Sequence, residues 1–254
     1  MKFQYNFNTN IGLKRQQNQD SGFVLPDHGL FLLADGMGGH SGGEIASKLV
    51  VQCVSEYFTN TINEKQDLPD MMNPNELVQN SIRAANLAIY QRSTEDIELQ
   101  GMGTTTVMLL FNNQKLIIGN VGDSRCYFFR PQCIWQLTKD HSLVQEKLRA
   151  GLITREQLRT DKSKNVITRS VGFEPHLMVD LYETNVSVGD VFLICTDGLS
   201  AQVEDSQILE IVQKDLFEED NLDKANQSLI DIANAHGGED NVSVILIKVL
   251  GYEH

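Results

Sequence analysis

Residues 104–137 read TTTVMLLFNNQKLIIGNVGDSRCYFFRPQCIWQL, and this stretch decides the fold. Its apolar runs predict four strands, at residues 105–111, 115–121, 125–129 and 134–137. Asn112-Asn113 and Pro131-Gln132 are typical turn residues. Because connections this short can join only antiparallel strands, the stretch predicts an antiparallel sheet.

The elements around this stretch predict a mixed architecture. Upstream, two strands (23–25 and 30–34) precede two helices, which are predicted from the capping box Ser41-Gly42-Gly43-Glu44 and from Asn73 followed by Pro74. Downstream, the patterns predict short helices at 143–150 and from Thr154, strands at 166–170, 176–183 and 191–196, helices at 206–214 and 222–235, and a strand at 242–249. This order lacks regular β-α-β alternation, so we expect an α+β fold of antiparallel sheets covered by segregated helices.

Composition narrows the function. The chain has 254 residues, 41% of them apolar, and a formal net charge of −13, which fits one globular domain and disfavours binding to nucleic acid or to an anionic membrane. The apolar runs are too short to span a bilayer, and residues 1–10 lack a signal-peptide core, so we expect a soluble cytoplasmic protein. Four cysteines without CxxC pairing fit a reducing compartment. None has an arginine six positions later, which excludes a cysteine-dependent phosphatase.

Three aspartates lie near glycine at the ends of predicted strands. Asp35 and Asp197 follow a predicted strand and precede a glycine, and Asp240 follows Gly237-Gly238 shortly before the last predicted strand. Each Asp-Gly pair could be only a turn. The glycine-rich run at 35–43 contains more glycine than a turn needs, and carboxylates gathered from distant segments suit magnesium or manganese, whereas zinc prefers His or Cys. The pattern therefore favours a metal site made of oxygen ligands.

Eight motifs occur in order along nearly the whole chain: Gly12-Leu13-Lys14-Arg15-Gln16-Gln17-Asn18-Gln19-Asp20, Asp35-Gly36-Met37-Gly38-Gly39-His40, Gly103-Thr104-Thr105, Gly122-Asp123-Ser124-Arg125, Asp140-His141-Ser142, Thr168-Arg169-Ser170-Val171-Gly172, Thr196-Asp197-Gly198-Leu199 and Gly237-Gly238-Glu239-Asp240-Asn241. Together they resemble the metal-dependent PPM phosphatases, which are type 2C serine/threonine protein phosphatases, in their bacterial single-domain form. No single motif is decisive, but eight in register are a strong signal.

The resemblance implies a four-layer αββα sandwich of two antiparallel sheets flanked by helix pairs, with two manganese or magnesium ions at one edge. By this likeness Asp35 bridges both ions, the Gly36 carbonyl binds one of them, and Asp197 and Asp240 complete the ligands of the other. Asp140 matches a position that, with Asp197, holds a weaker third ion in bacterial members.

The same resemblance assigns roles to residues around the ions. Arg15 matches the arginine that binds the substrate phosphate, and its planar guanidinium suits two phosphate oxygens. Asn18 and Asp20 match positions that orient metal-bound waters, and Asp123 and Asn241 are expected to support the site in the same indirect way or structurally.

The implied mechanism is direct attack of a metal-bridging hydroxide on the phosphorus, without a phosphoenzyme. One departure concerns the general acid: some members have histidine where this chain has Met37, and Met37 cannot donate a proton. His40 is one candidate acid, and a metal-bound water is the alternative. Gln19 replaces a glutamate of many members. His141 is expected to order a loop by hydrogen bonding.

Residues 143–165 resemble the flap of bacterial members, inserted in a single catalytic domain that spans 1–254. A flap beside a site commonly controls access and specificity. Its basic side chains could meet an acidic phosphoprotein or could simply be a solvated surface; they are Lys147, Arg149, Arg155, Arg159, Lys162 and Lys164.

Three functions therefore compete. The first is an active phosphatase acting on phosphoserine and phosphothreonine in proteins, opposing a serine/threonine kinase. The second is a catalytically weak or inactive pseudophosphatase that serves as a binding module, although the retained carboxylates and Arg15 speak against it. The third, a phosphodiesterase acting on nucleotides, is disfavoured by the net charge and by the motif set.

Overall fold

A computed structural model describes residues 1–39, 41–63, 73–158 and 160–252 of the chain. Its strands are β1 (Lys2–Asn10), β2 (Asp20–Leu25), β3 (Leu30–Met37), β4 (Gly103–Thr104), β5 (Thr106–Asn112), β6 (Lys115–Val121), β7 (Arg125–Arg130), β8 (Cys133–Gln136), β9 (Asp180–Asn185), β10 (Val191–Cys195) and β11 (Val242–Gly251). Its α-helices are α1 (Gly42–Asn63), α2 (Pro74–Glu95), α3 (Leu143–Arg149), α4 (Asp197–Ser200), α5 (Asp205–Ile211) and α6 (Leu222–Ala235).

The strands form two sheets, and every strand pair in them is antiparallel. One sheet has the order β1-β11-β10-β7-β8, and the other has the order β2-β3-β5-β6-β9 with the short β4 beside β3. The stretch 104–137 forms two hairpins, β5-β6 and β7-β8. The two hairpins belong to different sheets, so β6 and β7 lie in different sheets. The predicted antiparallel pairing is confirmed for β5 with β6 and for β7 with β8, but it is wrong for β6 and β7, whose short connection crosses from one sheet to the other.

Three hydrophobic cores separate four layers. Alternate residues of β3 point to opposite faces, so Leu32 packs with helices α1 and α2 whereas Phe31 packs between the sheets. On the far side, Leu193 of β10 packs with Leu229 of α6. Because both faces of both sheets are covered, their central strands are continuous apolar runs. The predicted α+β sandwich with helices on both outer faces is confirmed.

Local signals placed most helices correctly. The side chain of Asn73 accepts a hydrogen bond from the Asn75 N–H at 3.0 Å, as expected of a residue that caps the start of α2. Helix α6 has the predicted bounds, 222–235. The capping box at Thr154 is present, but it begins only one 3-10 turn (Arg155–Gln157), too short to be the predicted helix.

One strand prediction is wrong, a second is only partly right, and two strands, β1 and the short β4, were missed. Residues 166–170 form no strand, because their backbone makes single bridging contacts to the loop before α3 instead of a ladder. The predicted strand at 176–183 is only β9, which starts at Asp180. Strand β1 was missed, although Phe3, Tyr5 and Phe7 alternate with polar residues as in a half-buried strand.

Within the described ranges no helix is long and apolar enough to cross a membrane. That the chain forms one catalytic domain with a flap at 143–165 remains a prediction.

Candidate active site

Five aspartates from five separate segments meet at one edge of the sandwich. Asp20 and Asp35 lie directly opposite each other on β2 and β3. Asp123 lies in the turn between β6 and β7, Asp197 begins α4 directly after β10, and Asp240 comes two residues before β11. The charges of the other four carboxylates all act on Asp35, which places the five in one electrostatic cluster. The fold therefore brings together the three aspartates that were predicted from the sequence as metal ligands.

Burial makes this cluster costly to ionise. Loss of solvent and repulsion from Asp197 and Asp240 raise the pKa of Asp20, and its hydrogen bonds lower it in part, so that the pKa is about 7. Loss of solvent and the charges of Asp197 and Asp140 raise the pKa of Asp123 to about 8. Burial raises the pKa of Asp35 well above its ordinary value, and that of Asp197 in the same direction.

The donor set suits hard divalent cations. Among the residues that the structure describes, three buried carboxylate oxygens have no hydrogen-bond partner: Asp20 Oδ1, Asp123 Oδ1 and Asp197 Oδ1. A buried oxygen without a partner is unfavourable, and a cation bound among several such oxygens removes the penalty. In the described ranges no three side chains are already arranged as ligands of one ion. Asp240 accepts from Arg15, and Asp197 is hydrogen-bonded with Asp35.

Glycine lets the segments of the site approach closely. A Cβ on Gly198 would lie 1.9 Å from the Asn241 carbonyl oxygen, and one on Gly36 would lie 2.0 Å from the Gly43 carbonyl oxygen. Both distances are far below contact distance, so each Asp-Gly pair does more than form a turn. Gly36 also donates its N–H to the Gln19 carbonyl, which fixes β3 against the loop before β2.

Arg15 reaches the cluster from the loop after β1. Its Nη2 donates to Asp240 Oδ2 at 2.6 Å, and this bond raises the pKa of the guanidinium. The loop is held by backbone: the N–H groups of Leu13 and Lys14 donate to the Gly238 carbonyl. Arg15 keeps half of its side-chain surface exposed, so it lies at the rim where a substrate phosphate would arrive.

Asn18 and Asn241 hold the same loop through backbone groups. Asn18 Oδ1 accepts from the Asp20 N–H. Asn241 Nδ2 donates to the Ile11 and Gln17 carbonyls, each at 2.9 Å. Sequence reasoning expected them near the site, and the structure places them there as supports of the Arg15 loop; their action on metal-bound water remains a prediction.

Asp140 is engaged in an ion pair that the sequence did not reveal. Arg125 donates to both of its oxygens, from Nε at 3.1 Å and from Nη2 at 2.7 Å, and Gln136 Nε2 donates to Oδ1 at 2.7 Å. Nη1 of Arg125 also donates a hydrogen bond to the Tyr127 hydroxyl at 2.8 Å. The sequence feature that could have indicated this ion pair is Arg125, the last residue of the motif Gly122-Asp123-Ser124-Arg125. Its side chain points to Asp140.

His141 orders loops, as predicted. Its Nδ1 accepts from the Gly122 N–H at 3.0 Å, so in the neutral ring Nε2 carries the proton and faces Asp180 at 3.2 Å. Burial lowers the pKa of His141, which keeps the ring neutral near pH 7. The other histidine of interest, His40, lies outside the described residues, and its role as an acid stays a prediction. Met37 pairs with Gly103 at the end of β3.

The segment 143–165 faces the cluster across a cavity of about 740 Å³. Lys147 on α3 is tied to Asp161 at 3.0 Å and to Ser163 at 2.8 Å. Arg149 Nη1 donates to the Asp140 carbonyl at 3.3 Å. Lys147 therefore holds the segment together, and Arg149 joins it to Asp140 in the preceding loop; that these basic side chains meet a substrate stays a prediction. Arg159 lies outside the described residues.

Stability should depend on pH when divalent cations are removed with EDTA. Asp20 and Asp123 hold their protons to about pH 7 and 8 in the folded protein, whereas unfolded aspartates ionise near pH 3.9. Between these values the folded protein binds more protons, so the free energy of unfolding falls as pH rises. We expect urea titrations to give a value at pH 8 that is lower than at pH 6 by at least about 1 kcal/mol. Asp123→Asn should flatten this slope, and an unchanged slope would contradict the account.

Comparisons with known proteins point the same way as the geometry. A model of the family described as protein phosphatase 2C matches residues 13–235. The serine/threonine phosphatase stp of Listeria monocytogenes is 34% identical over 247 residues, which cover 95% of this chain and 94% of that protein. The crystal structure of the Mycobacterium tuberculosis phosphatase PstP/Ppp has a TM-score of 0.86 and 32% identity over 98% of this chain and 99% of that one. The catalytic domain of PstP in complex with two manganese ions has a TM-score of 0.85, 32% identity and the same coverage.

Proposed function

This chain belongs to the protein phosphatase 2C family, and from that premise we propose that it is a metal-dependent protein phosphatase that hydrolyses phosphoserine and phosphothreonine monoesters. The observation that carries the proposal is the cluster of buried aspartates with unpartnered oxygens beside an exposed arginine. A site of this kind binds divalent cations and offers one cationic side chain to a phosphate dianion. The relatives reported above are named as phosphatases and give no support to the pseudophosphatase alternative.

We propose Asp35 as the shared ligand of two manganese or magnesium ions, with the Gly36 carbonyl, Asp197 and Asp240 as further ligands. Asp35 is central because it interacts with every other carboxylate of the cluster. When bound, the two ions supply a water activated for attack at neutral pH and offset charge on the phosphoryl group.

A third ion was predicted at Asp140. Arg125 and Gln136 occupy both oxygens of Asp140, whereas Asp123 has an unpartnered buried oxygen and lies in the field of Asp197. We therefore propose Asp123, together with Asp197, as the better-placed ligand of a third ion. Asp140 then acts through its ion pair, by fixing the start of the flap.

The chain's own residues bind and orient the phosphate. Arg15 can turn its guanidinium from Asp240 to two phosphoryl oxygens, because its side chain lies half exposed at the rim. Two of the four cysteines, Cys126 and Cys195, are unsuited as nucleophiles because they are buried, and burial raises the pKa of the Cys195 thiol to about 12. This supports hydrolysis in one step, without a phosphoenzyme.

The proposed partners are phosphoproteins made by serine/threonine kinases. A net charge of −13 disfavours partners with many phosphates in a row, such as nucleic acid, and surfaces of anionic lipid. All four cysteines are free, which supports a cytoplasmic location because that compartment keeps thiols reduced.

The test is hydrolysis by the purified protein of p-nitrophenyl phosphate and of a phosphothreonine peptide, with bis-p-nitrophenyl phosphate as the diester control. We expect both monoesters to be hydrolysed at least tenfold faster with millimolar Mn²⁺ than with EDTA, and the diester to be hydrolysed much more slowly. Equal rates with and without chelator would overturn the metal mechanism. Binding of the phosphopeptide without turnover would support the pseudophosphatase.

A further inference from the structure

The cavity of about 740 Å³ next to the aspartate cluster has two walls of different origin. At one end lie Asp123, Asp140 and Asp197. The inner wall comes from α4 and the start of α5, and the outer wall comes from the flap. Cavities of about 300–1,000 Å³ hold small ligands, so this one has room for a few residues of a bound peptide.

The acidic side chains of these walls already have partners. Asp205 accepts a hydrogen bond from the Tyr127 hydroxyl at 2.9 Å and lies 3.9 Å from Arg125. Glu204 accepts from a backbone N–H in the first turn of α5. Glu156 accepts from Thr154 and from its own backbone, which lowers the pKa of this carboxyl. These carboxylates are therefore committed to holding the walls.

Two cations of the outer wall are not committed in this way. Arg155 and Lys164 line the cavity and are exposed. Within the part of the chain that the structure describes, neither side chain forms a hydrogen bond or an ion pair, although the charge of Arg155 also acts on the neighbouring Glu156. The flap 143–165 carries six basic and three acidic residues in a chain of net charge −13. Uncommitted positive charge is thus present on one wall of a cavity that opens from the site.

We infer that Arg155 and Lys164 bind carboxylate side chains of the substrate protein close to its phosphorylated residue. The inference rests on the proposed function. An extended peptide advances about 3.3–3.6 Å per residue, so side chains within about four residues of a phosphoserine held at the cluster reach the cavity. A guanidinium pairs with a carboxylate through two parallel hydrogen bonds, and an ammonium attracts it as a point charge. The enzyme then prefers phosphopeptides with acidic flanks.

The test compares kcat/KM for three phosphoserine peptides. One has glutamates only before the phosphoserine, one has them only after it, and one has glutamines at all these positions. We expect at least one acidic peptide to exceed the glutamine peptide by about three- to tenfold in low salt, because exposed charge pairs each contribute a small factor. The preference should shrink in 0.5 M NaCl, where charges are screened.

Charge reversal locates the effect. In Arg155→Glu/Lys164→Glu the preference should vanish or invert, measured as the ratio of kcat/KM for acidic and neutral peptides. Lys162→Glu is the matched control, since Lys162 is an exposed flap cation that does not line the cavity, and it should keep the wild-type ratio.

Two outcomes overturn the inference alone: equal kcat/KM for the three peptides with wild-type enzyme, or a preference that survives in the double variant. If the wild type hydrolyses neither these peptides nor p-nitrophenyl phosphate, the proposed function falls and the inference falls with it. The p-nitrophenyl phosphate assay separates these cases, because this substrate carries no flanking side chains.

Discussion

Asp35→Asn should lower kcat on a phosphopeptide by at least about 1,000-fold. Asp35 interacts with four other carboxylates at the centre of the cluster, and we propose that it is shared by two ions. Residues that only support metal ligands cost about 10- to 100-fold when changed, so a shared ligand should cost more. The measurement is steady-state hydrolysis in saturating Mn²⁺, with bound metal determined on the same samples.

The same variant should be more stable than wild type in EDTA. Asparagine removes a buried carboxyl that must either ionise beside other carboxylates or take up a proton on folding, as its raised pKa indicates. We expect its thermal unfolding temperature to rise when metal is absent, and this gain to disappear in Mn²⁺. Asp27→Asn, an identical change in an exposed turn, is the control and should alter neither property. Phosphate release by Asp35→Asn at the wild-type rate would contradict the assignment.

Gly198→Ala should abolish most activity through backbone displacement. The added Cβ would lie 1.9 Å from the Asn241 carbonyl oxygen. Because this oxygen belongs to the backbone and cannot rotate away as the end of a side chain could, the segments after β10 and before β11 must move apart. These segments carry Asp197 and Asp240. A displacement of about 1 Å at a catalytic centre commonly costs about 100-fold, and overpacking costs about 1–3 kcal/mol of stability.

The measurements are kcat/KM and urea unfolding of the same preparation. Gly251→Ala is the matched control, because it makes the same chemical change where a Cβ would meet nothing within 4 Å. It should keep wild-type activity. If Gly198→Ala also behaved like wild type, the close approach of the two segments would not be needed for the site.

The fold was largely predictable because its signals are local. The short connections 113–114 and 131–132 join antiparallel pairs, and Asn73 with Pro74 marks the start of α2. The errors occur where local preference does not decide the outcome. Residues 166–170 contain β-branched side chains, but the chain there crosses to the loop before α3 and finds no strand to pair with. Strand β1 was visible in the alternation of its aromatic residues, which pack on Phe31 and Phe111.

The site was predictable only in part. The Asp-Gly pairs and the Arg15 motif indicated which segments meet, and the structure brings them together. Side-chain partners were not predictable, because they depend on rotamers and on distances across the fold. Arg125 engages Asp140 in this way, and the flap cations divide into those that hold the segment, such as Lys147, and those that remain uncommitted, such as Lys164.

The pairing of β1 with β11 sets when the enzyme can begin to work during its synthesis. Strand β1 lies along β11 in register from Phe3 to Asn10, and the contact between Arg15 and Asp240 joins residues 225 positions apart. On the ribosome, residues 2–15 find this neighbour only after residues 240–251 have been made. Since contacts so distant along the chain form slowly, a nascent chain has no complete phosphate pocket.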